Sequence, residues 1–293
     1  MATLHRGRQS MVFDDHPAIL SSAAIAGKKE QEGPLAAYFD HTQTDTTFGQ
    51  SSWEKAESKM QELALDTAKK KGRIQNGDID LLFAGDLLNQ CISSSFAVRD
   101  TGVPFLGLYG ACSTMAESLC LAGMAVNSGY ARVAAAMTSS HFASAERQYR
   151  FPLNYGGQRT PTAQWTVTGS GCVIVGQQET GPFLNAATVG AVTDLGIKDA
   201  NNMGAAMAPA AYATLRAHFD DLHLSPSDYD LIVTGDLGSL GKEILMDQFR
   251  NDGVSIGGVY NDCGTMIFDL EKQDVHAGGS GCGCGNPAEG CYR

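Results

Sequence analysis

The sequence predicts an α/β protein built from two duplicated α/β halves, and three observations lead there. The first is an internal repeat at an offset of 150 residues, in which 74–87 lies over 224–237. Asp78 and Asp228, Asp80 and Asp230, Leu81 and Leu231, Gly85 and Gly235, Asp86 and Asp236, and Leu87 and Leu237 match without a gap. Each copy reads as a turn, a short apolar strand and a Gly-Asp at the strand's carboxyl end. The second observation is a helix ahead of each copy. Ser51-Ser52-Trp53-Glu54 has the form of a capping box, Trp53, Ala56, Met60, Leu63 and Ala64 make one apolar stripe, and Gly72 ends it. Ahead of the second copy, Pro209 opens a helix carrying Ala210, Ala213, Leu215 and Phe219. The third is a pair of short apolar runs, 130–137 and 171–176, of the kind that lie inside a sheet covered on both faces. These place the halves at 1–183 and 184–293. Between the two runs, 139–165 reads as a polar, aromatic excursion over the core, and 27–33 as a surface loop.

Composition narrows the function. The chain has 293 residues, 43% hydrophobic and 18% charged, enough for a substantial core. Its net charge of −11 provides no global basic field for nucleic acid or anionic lipid. No segment at the start has the apolar core of a signal peptide, and no run reaches the length of a membrane span. Eight cysteines without an export signal read as reduced thiols rather than a disulfide framework.

The chemistry is expected at Cys112. A short apolar strand ends in the small-residue turn Tyr109-Gly110-Ala111-Cys112-Ser113-Thr114, and a helix over 113–128 follows at once. A thiol there meets the unpaired N–H groups and positive dipole end of the helix, which suits a nucleophile or an anion site. A buried cysteine that merely packs is the plain alternative. The helix is apolar on nearly every face, so it is expected inside a core, with Gly129 closing it.

A cysteine on a strand-to-helix turn in the first of two duplicated halves resembles the thiolase and ketoacyl-synthase superfamily. The resemblance sharpens at 48–57, at Tyr109-Gly110-Ala111-Cys112-Ser113-Thr114-Met115-Ala116-Glu117, at Asn261-Asp262-Cys263-Gly264 and at 274–284. Together these are similar to the stage V sporulation protein AD family, over roughly residues 10 to 284. The resemblance implies a thiolase-like fold in layered α-β-α-β-α arrangement. It also implies a protein of the spore or forespore that binds dipicolinic acid (pyridine-2,6-dicarboxylic acid), free or as its calcium chelate, in sporulation and germination. Its implied partners are the other stage V sporulation A proteins, through which it would sit peripherally on the spore inner membrane. No cofactor and no metal are implied.

Two departures bear on chemistry. In the condensing enzymes Cys112 would be acylated while two further groups stabilise charge. His276, in His276-Ala277-Gly278-Gly279-Ser280-Gly281, matches one of them, but Thr234-Gly235-Asp236-Leu237 stands where the other belongs. An ionised Asp236 offers only acceptors and repels an enolate. No catalytic residue is therefore assigned. The second departure is length, since nine residues follow 280–284 and the second half is expected to lack its central helix and last strands.

The expected ligand-binding set is Gly110, Ala111, Cys112, Ser113 and Thr114 as floor, with Asp236, His276, Gly278, Gly279 and Ser280 as rim. Glycines on both loops allow close backbone approach to a flat dianion, and the helix start supplies donors. His276 serves equally as a structural histidine, and Asp86 with Asp236 as a pair holding the halves in register. Arg147, Arg150 and Arg159 lie on the excursion, where solvated surface arginines are the plainer reading. Cys263, Cys282, Cys284 and Cys291 do not have the spacing of paired zinc knuckles, and zinc is rejected. The competing function is a thiolase-type acyltransferase using Cys112.

Overall fold

The computed structural model describes residues 4–149 and 160–279. The chain opens with strands β1 (His5–Arg6) and β2 (Ser10–Val12), then β3 (Ala18–Ala26), helix α1 (Lys28–Gln31) and β4 (His41–Thr42). Helix α2 (Trp53–Gly72), β5 (Leu81–Gly85), α3 (Ile92–Val98), β6 (Phe105–Leu108), α4 (Thr114–Asn127), β7 (Val133–Ser140) and α5 (Phe142–Tyr149) follow. Strands β8 (Trp165–Thr166) and β9 (Gly169–Gly176) complete a six-stranded sheet and its border, with sheet order β4-β3-β9-β7-β5-β6. Strands β5, β6 and β7 are parallel, and β9 runs antiparallel between β7 and β3.

Period-two alternation splits each central strand between two helices. Leu82, Ala84, Ala135, Met137, Cys172 and Ile174 face α2 with Ala56, Met60, Ala64 and Leu65. Phe83, Ala134, Ala136, Val173 and Val175 face α4 with Ala122, Ala125 and Val126. Every residue of β9 is buried, as its unbroken apolar run requires.

The remainder comprises β10 (Ala186–Thr188), α6 (Met203–Leu222), β11 (Ile232–Thr234), α7 (Gly238–Asn251), β12 (Tyr260–Asp262), α8 (Cys263–Met266) and β13 (Gly278–Gly279). The 150-residue repeat survives in detail. Helices α2 and α6 are each 20 residues long and both end on a left-handed residue, Arg73 and His223, at φ 55°. Each then enters a 3-10 turn, at 76–78 and 226–228, closed by a side-chain capping box from Gln75 with Asp78 and from Ser225 with Asp228. Helices α6 and α7 meet at two glycines. A Cβ on Gly204 would lie 2.2 Å from the Leu237 carbonyl oxygen, and one on Gly241 2.9 Å from Gly204 Cα.

Several local expectations need correction. Pro209 lies within α6, whose cap is Asn202, with Ala205 N donating to its side chain at 3.2 Å. Proline there forgoes one bond to the preceding turn, a loss tolerated because Pro209 is buried against neighbouring elements. The cap of α2 is Ser52, which accepts from Lys55 N, while Glu54 pairs with Arg147. Residues 27–33 are not a plain surface loop. They include α1, whose Glu30 is 1% exposed and accepts from Thr168 N at 2.9 Å. Helix α4 is covered on its sheet side, but Ala116 and Met124 on the opposite side are exposed. Part of the expected excursion is helical, as α5.

Candidate functional site

The Cys112 turn is built by close backbone approach. A Cβ on Gly85, at the end of β5, would stand 2.2 Å from Leu108 O and 2.8 Å from Thr114 Cγ2, so only glycine lets β5, β6 and α4 converge there. The chain leaves β6, takes a left-handed conformation at Ala111 (φ 49°), and carries half-buried Cys112 in a 3-10 turn over Ala111–Ser113. A left-handed alanine costs about 1–3 kcal/mol and persists only where its surroundings hold it. The start of α4 has no side-chain cap; Ser113 instead donates through N and Oγ to Gly110 O at 3.1 and 2.9 Å. Thr114 Oγ1, fully buried in the first turn, has no hydrogen-bond partner. Glu117 reaches back over Gly110, where a Cβ would sit 2.3 Å from its Oε2. The turn thus sets the start of α4 beside one carboxylate, with Ser113 N bonded to Gly110 O and Thr114 N to Ala111 O.

The second expected group gathers around Gln164. Asp236 is buried in the left-handed region (φ 62°), and its backbone oxygen accepts from Gln164 Nε2. Strand β13 pairs in parallel with β8, Gly278 opposite Trp165 and Gly279 opposite Thr166. A Cβ on Gly279 would fall 2.3 Å from Gln164 Oε1, and one on Gly278 2.7 Å from Ile267 Cγ2. The structure therefore brings Asp236, Gly278 and Gly279 together, and explains both glycines by packing. His276, just before them, is exposed, while Ala277 is buried. Ser280, Cys282, Cys284, Cys291, Arg150 and Arg159 lie outside the described residues. Arg147 pairs with Glu54 and stacks 5.5 Å from the Trp53 ring. Among the described residues no group of three or more His, Cys, Asp or Glu side chains is placed to hold a metal ion.

Asp86 serves its own half. It accepts from Leu88 N at 2.9 Å, and from Ser94 N and Oγ at 2.8 and 2.6 Å, fastening the strained Gln90–Cys91 turn (φ 61° and 50°). In the repeat the equivalent work falls to Asp262, which accepts from Leu237 N, Gly238 N, Gly264 N and Thr234 Oγ1. Burial pushes both carboxyls up from their ordinary values.

Several residues near the turn escaped the sequence reading. Glu57 and Gln61 of α2 are fully buried on the face read as purely apolar. Burial and the neighbouring Asp86 charge raise Glu57 to about 8. Burial lifts Glu30 to about 7 and pulls His141 down. His141 Nε2 meets Thr46 O at 2.7 Å and Nδ1 accepts from Ala143 N, the arrangement of a neutral ring. At the end of α5, Tyr149 donates to Leu87 O and meets Tyr109 OH at 2.9 Å, three residues before Cys112. The one available signal was Glu57 and Gln61 at i, i+4 inside an apolar stripe.

Known proteins agree with this architecture. The chain resembles 3-oxoacyl-[acyl-carrier-protein] synthase III from Aquifex aeolicus VF5 at 13% identity and TM-score 0.55, covering 84% of each chain. It resembles cerulenin-bound Xanthomonas campestris OleA E117D at 13% identity and TM-score 0.61, covering 86% of this chain and 83% of that one. At such identity the likeness shows the fold, a thiolase-like one. Stage V sporulation protein AD of Bacillus subtilis (strain 168) is 47% identical over 279 residues, 95% of this chain and 82% of that protein. The sequence model of stage V sporulation protein AD matches residues 7–290. No helix among the described residues is long and apolar enough to cross a membrane. The chain belongs to the stage V sporulation protein AD family, a sporulation protein with a thiolase-like fold.

Proposed function

We propose that this sporulation protein is a non-catalytic binder of dipicolinic acid, serving dipicolinate movement in sporulation and germination with other stage V sporulation A proteins at the spore inner membrane. The supporting observation is the uncapped start of α4, with fully buried, unpartnered Thr114 Oγ1 behind it and Gly110, Ala111, Cys112 and Ser113 ahead. Backbone N–H groups at a helix start favour a carboxylate. The rim would come from the Asp236, Gly278 and Gly279 cluster and the adjacent His276 and Ser280. At the carboxyl end of β11 the chain carries Gly235 and buried Asp236, and an ionised Asp236 would offer a Cys112-bound oxyanion only acceptors. Loss of one oxyanion donor costs roughly 100- to 1000-fold in rate.

A second reading, thiolase-type acyl transfer through Cys112, is favoured by the left-handed Ala111 that sets the thiol at the head of a 14-residue helix. Titration of the protein with dipicolinate, with and without calcium, tests the first reading. Incubation with acetyl- and malonyl-coenzyme A followed by intact mass tests the second. Saturable dipicolinate binding without an acyl adduct is expected. A stoichiometric adduct on Cys112 with turnover would make the protein an enzyme.

A further inference from the structure

We propose that Glu57, carrying its proton, is a positioning residue that holds α5, and through it the Cys112 turn, in the arrangement seen here, so that losing that proton releases the turn. This concerns regulation of the pocket assigned above, and its consequence for a ligand rests on that assignment.

The starting point is a continuous buried chain of polar groups beneath the turn. Asp86 accepts from Ser94 Oγ at 2.6 Å, and Gln61 Nε2 reaches Ser94 Oγ at 2.9 Å and Ser139 Oγ at 2.6 Å. Ser139 Oγ meets Glu57 Oε1 at 3.0 Å, and Ser144 Oγ meets Glu57 Oε2 at 2.8 Å. Five elements are tied by it: α2, the end of β5, α3, the end of β7 and α5. Two carboxyl groups sit in a volume with almost no solvent, where ionising both is expensive.

Counting protons gives the device its direction. Ser144 has one hydroxyl proton and two acceptors in reach, Glu57 Oε2 at 2.8 Å and His141 O at 3.1 Å. With Glu57 protonated, its own O–H donates to Ser144 Oγ and the serine proton goes to His141 O, so both hydroxyl protons are placed. With Glu57 ionised, the serine proton turns to the carboxylate, and His141 O, at the head of α5, keeps only its bond from Ala145 N at 3.0 Å.

Helix α5 passes this on. Its far end grips the loop after β5, Gln148 Nε2 meeting Leu87 O at 3.4 Å and Asn89 Oδ1 at 3.2 Å, while Tyr149 donates to Leu87 O. Leu87 O cannot donate, so the Tyr149 proton is committed to it, and Tyr109 must donate to Tyr149 across 2.9 Å. Tyr109 leads directly into Gly110, Ala111 and Cys112. The strained Ala111 and the Gln90–Cys91 pair on either side are the conformations such a clamp must hold.

The charged and titratable groups facing Glu57 do not supply a compensating cation. Asp86 lies at the end of β5, and buried His141 is neutral at the head of α5. On α5, Glu146 meets Thr166 Oγ1 at 3.4 Å, and Arg147 is paired with Glu54 of α2.

The test uses the whole chain without dipicolinate, so its failure is separable from failure of the binding assignment. Infrared spectra should show a carboxylic-acid C=O band at pH 6 that fades as pH passes about 8 and that Glu57→Gln lacks. Alkylation of Cys112 by a neutral maleimide, read on its own peptide, is then compared between wild type and Glu57→Gln. The variant should match wild type at pH 6.5 and react up to about tenfold more slowly at pH 9, the population change that losing one hydrogen bond of about 1.4 kcal/mol makes. Ser144→Ala cuts the relay but leaves the acid, so its infrared band should persist while its Cys112 is fast at both pH values. A purely structural Glu57 would give parallel pH profiles. Parallel profiles, or wild type without the acid band at pH 6, would overturn the proposal.

Discussion

Replacing Glu30 by glutamine should flatten the pH dependence of stability, by an amount that follows from its surroundings. The side chain is 1% exposed, Oε1 accepts from Thr168 N at 2.9 Å, and Oε2 has no hydrogen-bond partner. Burial dominates and lifts its pKa from 4.5 to about 7. Between these values the folded chain holds a proton that the unfolded chain has released, so stability falls as pH rises. The contribution is fully present below about 4.5 and gone above about 7. A shift of about 2.5 units at about 1.36 kcal/mol each is roughly 3 kcal/mol. Glutamine keeps the acceptor for Thr168 N and never ionises. In urea melts at pH 5, 6, 7 and 8, Glu30→Gln should lie within about 1 kcal/mol of wild type at pH 5 and exceed it by up to about 3 kcal/mol at pH 8. A wild type that gains stability over that range, or a variant that tracks it in parallel, would refute the reasoning.

Three further outcomes are expected. Gly279→Ala drives a methyl into Gln164, at 2.3 Å from Oε1, and should cost about 1–3 kcal/mol; Gln164→Ala should relieve much of that cost in the double variant, as a thermal-melt cycle would show. Cys112→Ala should weaken dipicolinate binding only modestly, whereas Cys112→Phe should abolish it with circular dichroism unchanged, because Cys112 contributes shape to the turn. Dipicolinate affinity should change little between low and moderate salt, since a net charge of −11 offers no long-range attraction to screen.

Much of the first half was legible because its signals are local or periodic. The match of 74–87 with 224–237 announced a repeat that extends to paired 20-residue helices and paired left-handed caps. The apolar runs marked β7 and β9, and the small-residue turn marked Cys112 at the head of α4. What stayed hidden depends on three-dimensional partners. Glu57 and Gln61 are polar interruptions of an apolar stripe with no visible partner until Ser94, Ser139 and Ser144 converge on them from other elements. Glu30 looked like part of a charged loop because Thr168, which holds it, lies 138 residues away. Gly278 and Gly279 invited a ligand reading, while the structure gives them packing against Ile267 and Gln164. Pro209 misled because a proline at a helix start is common, yet Asn202 offers a side-chain cap six residues earlier in the sequence than Ala208.

The central claim is that the Cys112 turn binds pyridine-2,6-dicarboxylate rather than catalysing condensation. Calorimetric titration of the protein with dipicolinate and, separately, with isophthalate tests it most directly. The two dianions share shape and charge, and only dipicolinate has the ring nitrogen. Saturable one-site binding of dipicolinate, clearly tighter than isophthalate and lost in Cys112→Phe, is the result predicted. Equal binding of the two, or wild-type affinity in Cys112→Phe, would contradict the account.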